Sequence, residues 1–234
     1  MSGAVWAVVP AAGVGRRTGL DRPKQYVDIL GQPMLHWTLE ALLAHPRVAG
    51  VVVVLSADDA CWPGWSTRAG KPVLTTTGGA DRAASVRAGL RRLEGQVAAD
   101  DWVLVHDAAR PCLEINDLDN LLAQGCAHPG GALLAAPVAD TLKQANERGE
   151  ALRSLPRERA WRAMTPQLFR HAPLCAALDR AAADGVAVTD EASAFEHLGL
   201  TPLLVPGSAR NLKVTSGDDF ALAAFWLRTS GRSG

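Results

Sequence analysis

Arg16, Arg17, Arg22 and Lys24 place four cations within nine residues, against the single acid Asp21. They lie in PAAGVGRRTGLDRPKQY, residues 10–26, directly behind the apolar run VWAVV. Ala11, Ala12, Gly13 and Gly15 in that stretch carry little or no side chain, so a phosphate or base can approach the backbone closely. The chain as a whole has 24 Lys+Arg and 24 Asp+Glu, a net charge of zero. A local cationic excess beside a glycine turn therefore points to a polyanionic ligand, the plain alternative being a strand-to-helix turn with solvated arginines. Two familiar phosphate motifs do not fit. The dinucleotide fingerprint needs Gly where Thr18 stands, and a P-loop needs a Gly-Lys-Ser/Thr that is absent.

A second constellation is VHDAARP, residues 105–111. Asp107 follows the apolar run Trp102–His106, at the carboxyl end of a strand, where open α/β sheets bind ligands. A carboxylate there can hold Mg²⁺ against phosphate oxygens, and Arg110 can pair with it or with a phosphate. A capping Asp with an Arg salt bridge explains an isolated Asp equally well. GGADRAASV (78–86), Asp140-Thr141, TPQ (165–167), TDEAS (189–193) and NLKVT (211–215) are weak signals one at a time. Gly78-Gly79 reads as a turn, Thr189-Asp190 as a helix cap, and Lys213 as a lysine of any surface. Nucleophile machinery is missing: there is no G-x-S-x-G, no H-E-x-x-H, and no Cys beside a His. The six histidines are scattered and read as structural.

The elements that must position these residues alternate. Strands are expected at Val5–Pro10, Val51–Leu55, Trp102–His106 and Ala132–Val138. Helices are expected at Pro33–His45, Arg82–Leu93, Asn116–Ala127 (opened by an Asn116 cap), Pro173–Ala183, Asp190–Leu198 and Gly217–Thr229. Strand, turn and helix in repetition predict one α/β domain over residues 1–234, a Rossmann-like, mostly parallel sheet flanked by helices. The charged stretch from Asp140 to Arg162 breaks the rhythm and reads as either a disordered loop or an extended arm that docks on a partner. Zero net charge excludes a general nucleic-acid binder. The longest apolar runs fall short of the roughly 18 residues of a membrane span, and the amino terminus lacks the basic region of a signal peptide. Cys61, Cys112, Cys126 and Cys175 form no C-x-x-C pair, which suits reduced thiols in a cytoplasmic protein and no zinc site.

Taken in order, VPAAGVGRR…PKQY, GG..R..SV..GL, VHDAARP, PV.DTLK, TPQ.F, TDEAS and N.KVT..DD resemble the 2-C-methyl-D-erythritol 4-phosphate cytidylyltransferase family of the non-mevalonate isoprenoid pathway. The match runs from about residue 5 to 225 with order and intervals kept. The resemblance implies a nucleotidyltransferase-type fold and a homodimer formed with an extended arm at about residues 140–162. It also implies Mg²⁺-assisted transfer of CMP from CTP to the methylerythritol phosphate, with release of pyrophosphate. By position it assigns Arg17 and Lys24 to the transition state, and Arg157 and Lys213 to acceptor positioning. Pro10, Ala11, Ala12, Gly13, Gly15 and Lys24 fall on the nucleotide loop, with Gly79, Arg82 and Ser85 facing base and ribose. Asp107 falls near metal and substrate; Arg110, Thr141, Thr165 and Thr189 fall on substrate contacts. Arg157, fixed by counting back from TPQ among Arg153, Arg159 and Arg162, would reach across a two-fold axis into the neighbour's site. The chain departs from the family pattern at Ala80, where an acid often follows the glycine pair, and at Met164 and Leu212.

The missing nucleophile machinery agrees with this chemistry. A phosphate monoester, with a second pKa of about 6, is already mostly dianionic at neutral pH and needs no general base. Its difficulty is the meeting of two anions, which fixed cations relieve. Related pyrophosphorylases, such as a ribitol-5-phosphate cytidylyltransferase or a sugar-nucleotide synthase, share the amino-terminal loop and are disfavoured by the acceptor-side strings. A nucleotide sensor without turnover would need a lost cation, yet Arg17, Lys24 and Lys213 are all present.

Overall fold

A computed structural model describes residues 3–13 and 22–232. In chain order it contains β1 (Val5–Pro10), a 3-10 turn (Lys24–Tyr26), β2 (Asp28–Ile29), β3 (Gln32–Pro33), α1 (Met34–Leu43), β4 (Val48–Leu55), β5 (Thr67–Arg68) and β6 (Lys71–Thr77). Then follow α2 (Arg82–Arg92), β7 (Trp102–Val105), α3 (Ile115–Gly125), β8 (Ala132–Pro137), β9 (Leu142–Ala145) and β10 (Ala151–Leu155). The last are β11 (Trp161–Arg170), α4 (His171–Ala183), α5 (Glu191–His197), β12 (Leu203–Pro206) and α6 (Gly217–Thr229). Among the described residues no helix is long and apolar enough to cross a membrane.

The main sheet has the order β12-β8-β11-β7-β1-β4-β6-β5. β1 pairs parallel with β4 and β7, as do β4 with β6 and β8 with β12. β11 runs antiparallel to both β7 and β8. A crossover helix is what makes neighbouring strands parallel, and none separates β8 from β11; the chain turns through β9 and β10 and comes straight back. From β1 the chain builds outward to β4 and β6, then crosses to the other side of β1 to form β7. The carboxyl ends of β1 and β7 therefore flank a topological switch point, where α/β sheets open a crevice.

Alternation along β1 sends Val5, Ala7 and Val9 into a cluster with Leu35, Leu39 and Leu42 of α1. Val8 faces the opposite layer, with Val86 and Leu90 of α2 and Leu174 of α4. A Cβ on Gly89 would strike Val8 Cγ1 and come within 2.9 Å of Val54 Cγ2, so this glycine lets α2 lie directly on the sheet. A third cluster joins Ala223 and Leu227 of α6 to Met34, Trp37, Ala109, Cys112 and Val214, clamping the two loops that carry Arg110 and Lys213.

Two expectations are corrected here. Helix α3 begins at Ile115, so Asn116 lies inside its first turn; Glu114 occupies the cap position and makes no side-chain cap bond. The stretch after Asp140 is not a disordered loop, because β9 and β10 pair as an antiparallel hairpin. Asn146 Oδ1 closes its turn by accepting from the N–H groups of Arg148 and Glu150, each at 3.0 Å. Its charged side chains stay at the surface and pair across the strands, Arg153 Nε with Gln144 Oε1 at 2.8 Å and Lys143 Nζ with Ser154 Oγ at 2.6 Å.

Candidate active site

Residues following β1 line a cleft of about 560 Å³ together with those before α2, those after β7 and the 211–215 segment. Pro10, Ala11, Ala12 and Gly13 form one wall, and Gln25 Nε2 fixes the Ala11 carbonyl at 2.7 Å. Among the described residues nothing lies within 4 Å of the Cβ position of Gly13, so Ala11–Gly13 presents little but backbone. On the opposite wall a Cβ on Gly79 would stand 2.5 Å from Ala84 Cβ. The Gly79 N–H donates to Ser85 Oγ at 3.2 Å, and the Ser85 hydroxyl donates to Asp81 O at 2.9 Å. Ser85 is thus a brace for the Gly79 loop, while the Asp81 carboxylate caps α2 by accepting from Ala84 N.

A second cleft, of about 220 Å³, opens beside the first and shares Arg82, Asp107 and Lys213 with it. Its other walls bring in Arg110, Thr165, Gln167, Thr189 and Asp190. The partition between the clefts is one ionic chain. Glu191, fully buried at the first position of α5, accepts from Arg82 Nη1 at 2.7 Å and from Nη2 at 3.1 Å. Arg82 also reaches Asp107 Oδ1, from Nε at 3.3 Å and Nη2 at 3.2 Å. Lys213 Nζ stands 2.9 Å from Asp107 Oδ2, with Arg110 Nε at 3.5 Å. Burial by itself would raise the Asp107 pKa; Arg82 and Lys213, with help from Arg110, more than reverse this and hold the carboxyl well below the usual range. Burial likewise raises Glu191, and Arg82 opposes it.

Hydrogen bonds set the spacing of the cations. Lys24 Nζ donates to Val214 O at 3.0 Å, which holds the 3-10 turn Lys24–Tyr26 against the residue next to Lys213. Val214 N in turn donates to Ala109 O at 2.8 Å. Asn211 is fully buried; its Nδ2 donates to Thr165 O at 2.8 Å and its carbonyl accepts from Arg110 Nη1 at 2.7 Å. Asn211 therefore anchors the segment from which Lys213 emerges two residues later. Three cations and two carboxylates in the partition leave a surplus of positive charge, which Lys24 increases across the larger cleft. This can receive two phosphorylated ligands side by side.

The structure unites Lys24, Arg82, Asp107, Arg110, Thr165, Thr189 and Lys213 around these two clefts. Arg157 and Thr141 do not line either cleft of their own chain; Arg157 sits at the base of the β9–β10 hairpin, its guanidinium donating to Ala139 O. Arg17 and Gly15 lie outside the described residues. The oxygens of Asp107, expected to lie near a metal, face the three cations Arg82, Arg110 and Lys213. Sequence reasoning passed over Glu191, whose partner Arg82 lies 109 residues away, and Gln167, which donates to Asp190 Oδ2 at 2.8 Å and accepts from Ala192 N at 2.9 Å.

A parallel-sheet switch point with a small-residue loop and two adjoining clefts that share a cationic wall is the architecture of a nucleotide-dependent transferase of the α/β class. A family model for 2-C-methyl-D-erythritol 4-phosphate cytidylyltransferase matches residues 5–229. A relative so named from Xanthomonas campestris pv. campestris (strain 8004) is 57% identical over 234 residues, all of this chain and 88% of the relative. One from Stenotrophomonas maltophilia is 59% identical over 227 residues, 97% of this chain and 98% of the relative. A crystal structure of 4-diphosphocytidyl-2C-methyl-D-erythritol synthase superposes with a TM-score of 0.84 at 38% identity, covering 97% of this chain and 100% of that one. The chain belongs to the 2-C-methyl-D-erythritol 4-phosphate cytidylyltransferase family.

Proposed function

We propose that this chain transfers CMP from CTP to 2-C-methyl-D-erythritol 4-phosphate. The products are 4-diphosphocytidyl-2-C-methyl-D-erythritol and pyrophosphate, in isoprenoid precursor biosynthesis in the cytoplasm. The observation that carries the reading is the pair of clefts sharing one cationic wall, with Lys24 and Lys213 drawn together by Val214. The larger cleft takes CTP, its base and ribose between the Ala11–Gly13 loop and Gly79. The smaller takes the acceptor, with Thr165 and Thr189 beside its hydroxyls. An oxygen of the acceptor phosphate attacks the α-phosphorus, and the bond from that phosphorus to the bridging oxygen of pyrophosphate breaks. Lys24 and Arg17 offset charge that builds at the α-phosphate, and Lys213 holds the acceptor phosphate. Mg²⁺ would enter as part of the substrate, the magnesium complex of CTP, and would supply charge neutralisation at the phosphates.

In the same reading the protein is a homodimer in which the β9–β10 hairpin carries Arg157 to the acceptor cleft of a second copy. Its place on an exposed hairpin away from its own clefts supports this. Pyrophosphate release, measured with CTP, UTP, ATP and GTP against methylerythritol phosphate and ribitol 5-phosphate, tests the assignment. Release only with CTP and methylerythritol phosphate is expected; a preference for ribitol 5-phosphate would refute it.

A further inference from the structure

His106 is the last residue before Asp107 and is fully buried, yet no step above uses it. Its Nε2 lies 3.1 Å from the Arg110 carbonyl and its Nδ1 lies 3.0 Å from Thr165 Oγ1. A carbonyl oxygen can only accept, so the imidazole proton must be on Nε2. The ring has two neutral partners and no solvent, and an imidazolium there would be a buried charge without a hydrogen-bonded anion. In the neutral ring Nδ1 is then an acceptor, and the only proton available to that contact is the Thr165 hydroxyl proton. Thr165 Oγ1 also accepts the Asp107 N–H at 3.0 Å. A hydroxyl has one proton and two lone pairs. His106 takes the proton and the Asp107 amide takes one lone pair, so a single lone pair is left on a residue that lines the smaller cleft.

We propose that His106, fixed as its Nε2–H tautomer, makes Thr165 an acceptor-only contact, so that the smaller cleft selects an acceptor presenting a hydroxyl donor at that point. A carbonyl, ether or phosphate oxygen placed there would meet a lone pair. This rests on the reading that the smaller cleft receives the acceptor polyol phosphate. His106 is a positioning residue: it touches no substrate and acts through the proton it withdraws from Thr165.

The test has two arms. In the first, ¹⁵N NMR of the histidine-labelled wild-type protein reads the ring state directly. The expected signature for His106 is a protonated Nε2 and a bare Nδ1; a protonated Nδ1 overturns the proposal, whatever the substrate. In the second, each hydroxyl of the acceptor polyol phosphate is replaced in turn by hydrogen or by fluorine, which can accept but not donate. One position is expected at which both analogues lose the same kcat/KM, roughly tenfold. That loss should persist in Thr165→Ser and vanish in Thr165→Val. A position where the fluoro analogue keeps activity that the deoxy analogue loses, with the difference abolished by Thr165→Val, means that Thr165 donates and overturns the proposal. So does the lack of any Thr165-sensitive position when the parent polyol phosphate turns over. Failure of every polyol phosphate to turn over would instead strike the proposed function, and the NMR arm would still judge the tautomer.

Discussion

Replacing Arg82 with Met strands Glu191. This carboxylate is 0% exposed, and both its oxygens accept from the Arg82 guanidinium. Losing one partner of a buried pair costs about 3–5 kcal/mol, because the other charge stays uncompensated away from water. The Arg82 side chain is itself 27% exposed, so water relieves part of this, and about 3 kcal/mol is expected at neutral pH. Adding Glu191→Gln removes the stranded charge and leaves an amide short of partners, a penalty of about 1–2 kcal/mol. The double variant should therefore be more stable than Arg82→Met alone, by roughly 1–2 kcal/mol. The pH dependence has a definite sign. Burial raises the Glu191 pKa and Arg82 opposes the rise, so without Arg82 the folded state binds the proton more tightly than the unfolded chain does. Relative to wild type, Arg82→Met then loses stability as pH climbs from the ordinary carboxylate range through the raised folded value. Urea unfolding followed by tryptophan fluorescence at pH about 5 and about 8 reads both effects. The reasoning is refuted if the double variant is no more stable than Arg82→Met at pH about 8, or if Arg82→Met fares no worse there than at pH about 5.

Three further outcomes are expected. Lys24→Ala should lower kcat on the order of 100-fold while raising the CTP KM far less, because the cation acts on charge that grows in the transition state; a raised KM with unchanged kcat would relegate it to ground-state binding. CTP should outperform UTP on the order of 100-fold or more in kcat/KM, since uracil reverses donor and acceptor at the base edge and leaves buried groups unpaired; comparable values would contradict this. Lys24→Ala and Arg157→Ala, each strongly impaired alone, should recover roughly a quarter of wild-type activity when unfolded together and reassociated, because half the dimers are mixed and each mixed dimer holds one intact site. No recovery, with mixed dimers verified by mass spectrometry, would place both residues in sites of one chain.

The strands that were legible in the sequence are those buried on both faces. Val5–Pro10 matches its expected bounds, and Val51–Leu55 is the carboxyl part of a strand that begins at Val48. Helix α6 also has the expected bounds, and the Thr189-Asp190 cap is real: Asp190 accepts from Ser193 N in a capping box. β6 was hidden because Pro72 and three consecutive threonines break the apolar pattern on both of its faces. β11 was hidden because its core side carries Thr165 and Gln167, polar groups buried for the sake of the site, which read as a motif and not as a strand. β12, four residues at the sheet edge, is too short to show a period. The cationic loop and Asp107 were visible as residue types behind strands, and Lys213 only through the family resemblance. The partition they form was not, because Glu191 and Arg82 meet only through the fold and no local spacing links them. Asp107 was visible by its type at the end of β7, but the three cations that face it were not, because Arg82 and Lys213 reach it only through the fold.

The central claim is that the bond broken lies between the α-phosphorus and the pyrophosphate of CTP. Two labelled incubations with methylerythritol phosphate decide it, one with CTP labelled at the α-phosphorus and one with CTP labelled at the γ-phosphorus. The α-label should pass quantitatively into the diphosphocytidyl product, and the γ-label should leave as pyrophosphate. The γ-label in the polyol product, or the α-label left in CDP, would mean transfer of the terminal phosphate and contradict cytidylyl transfer.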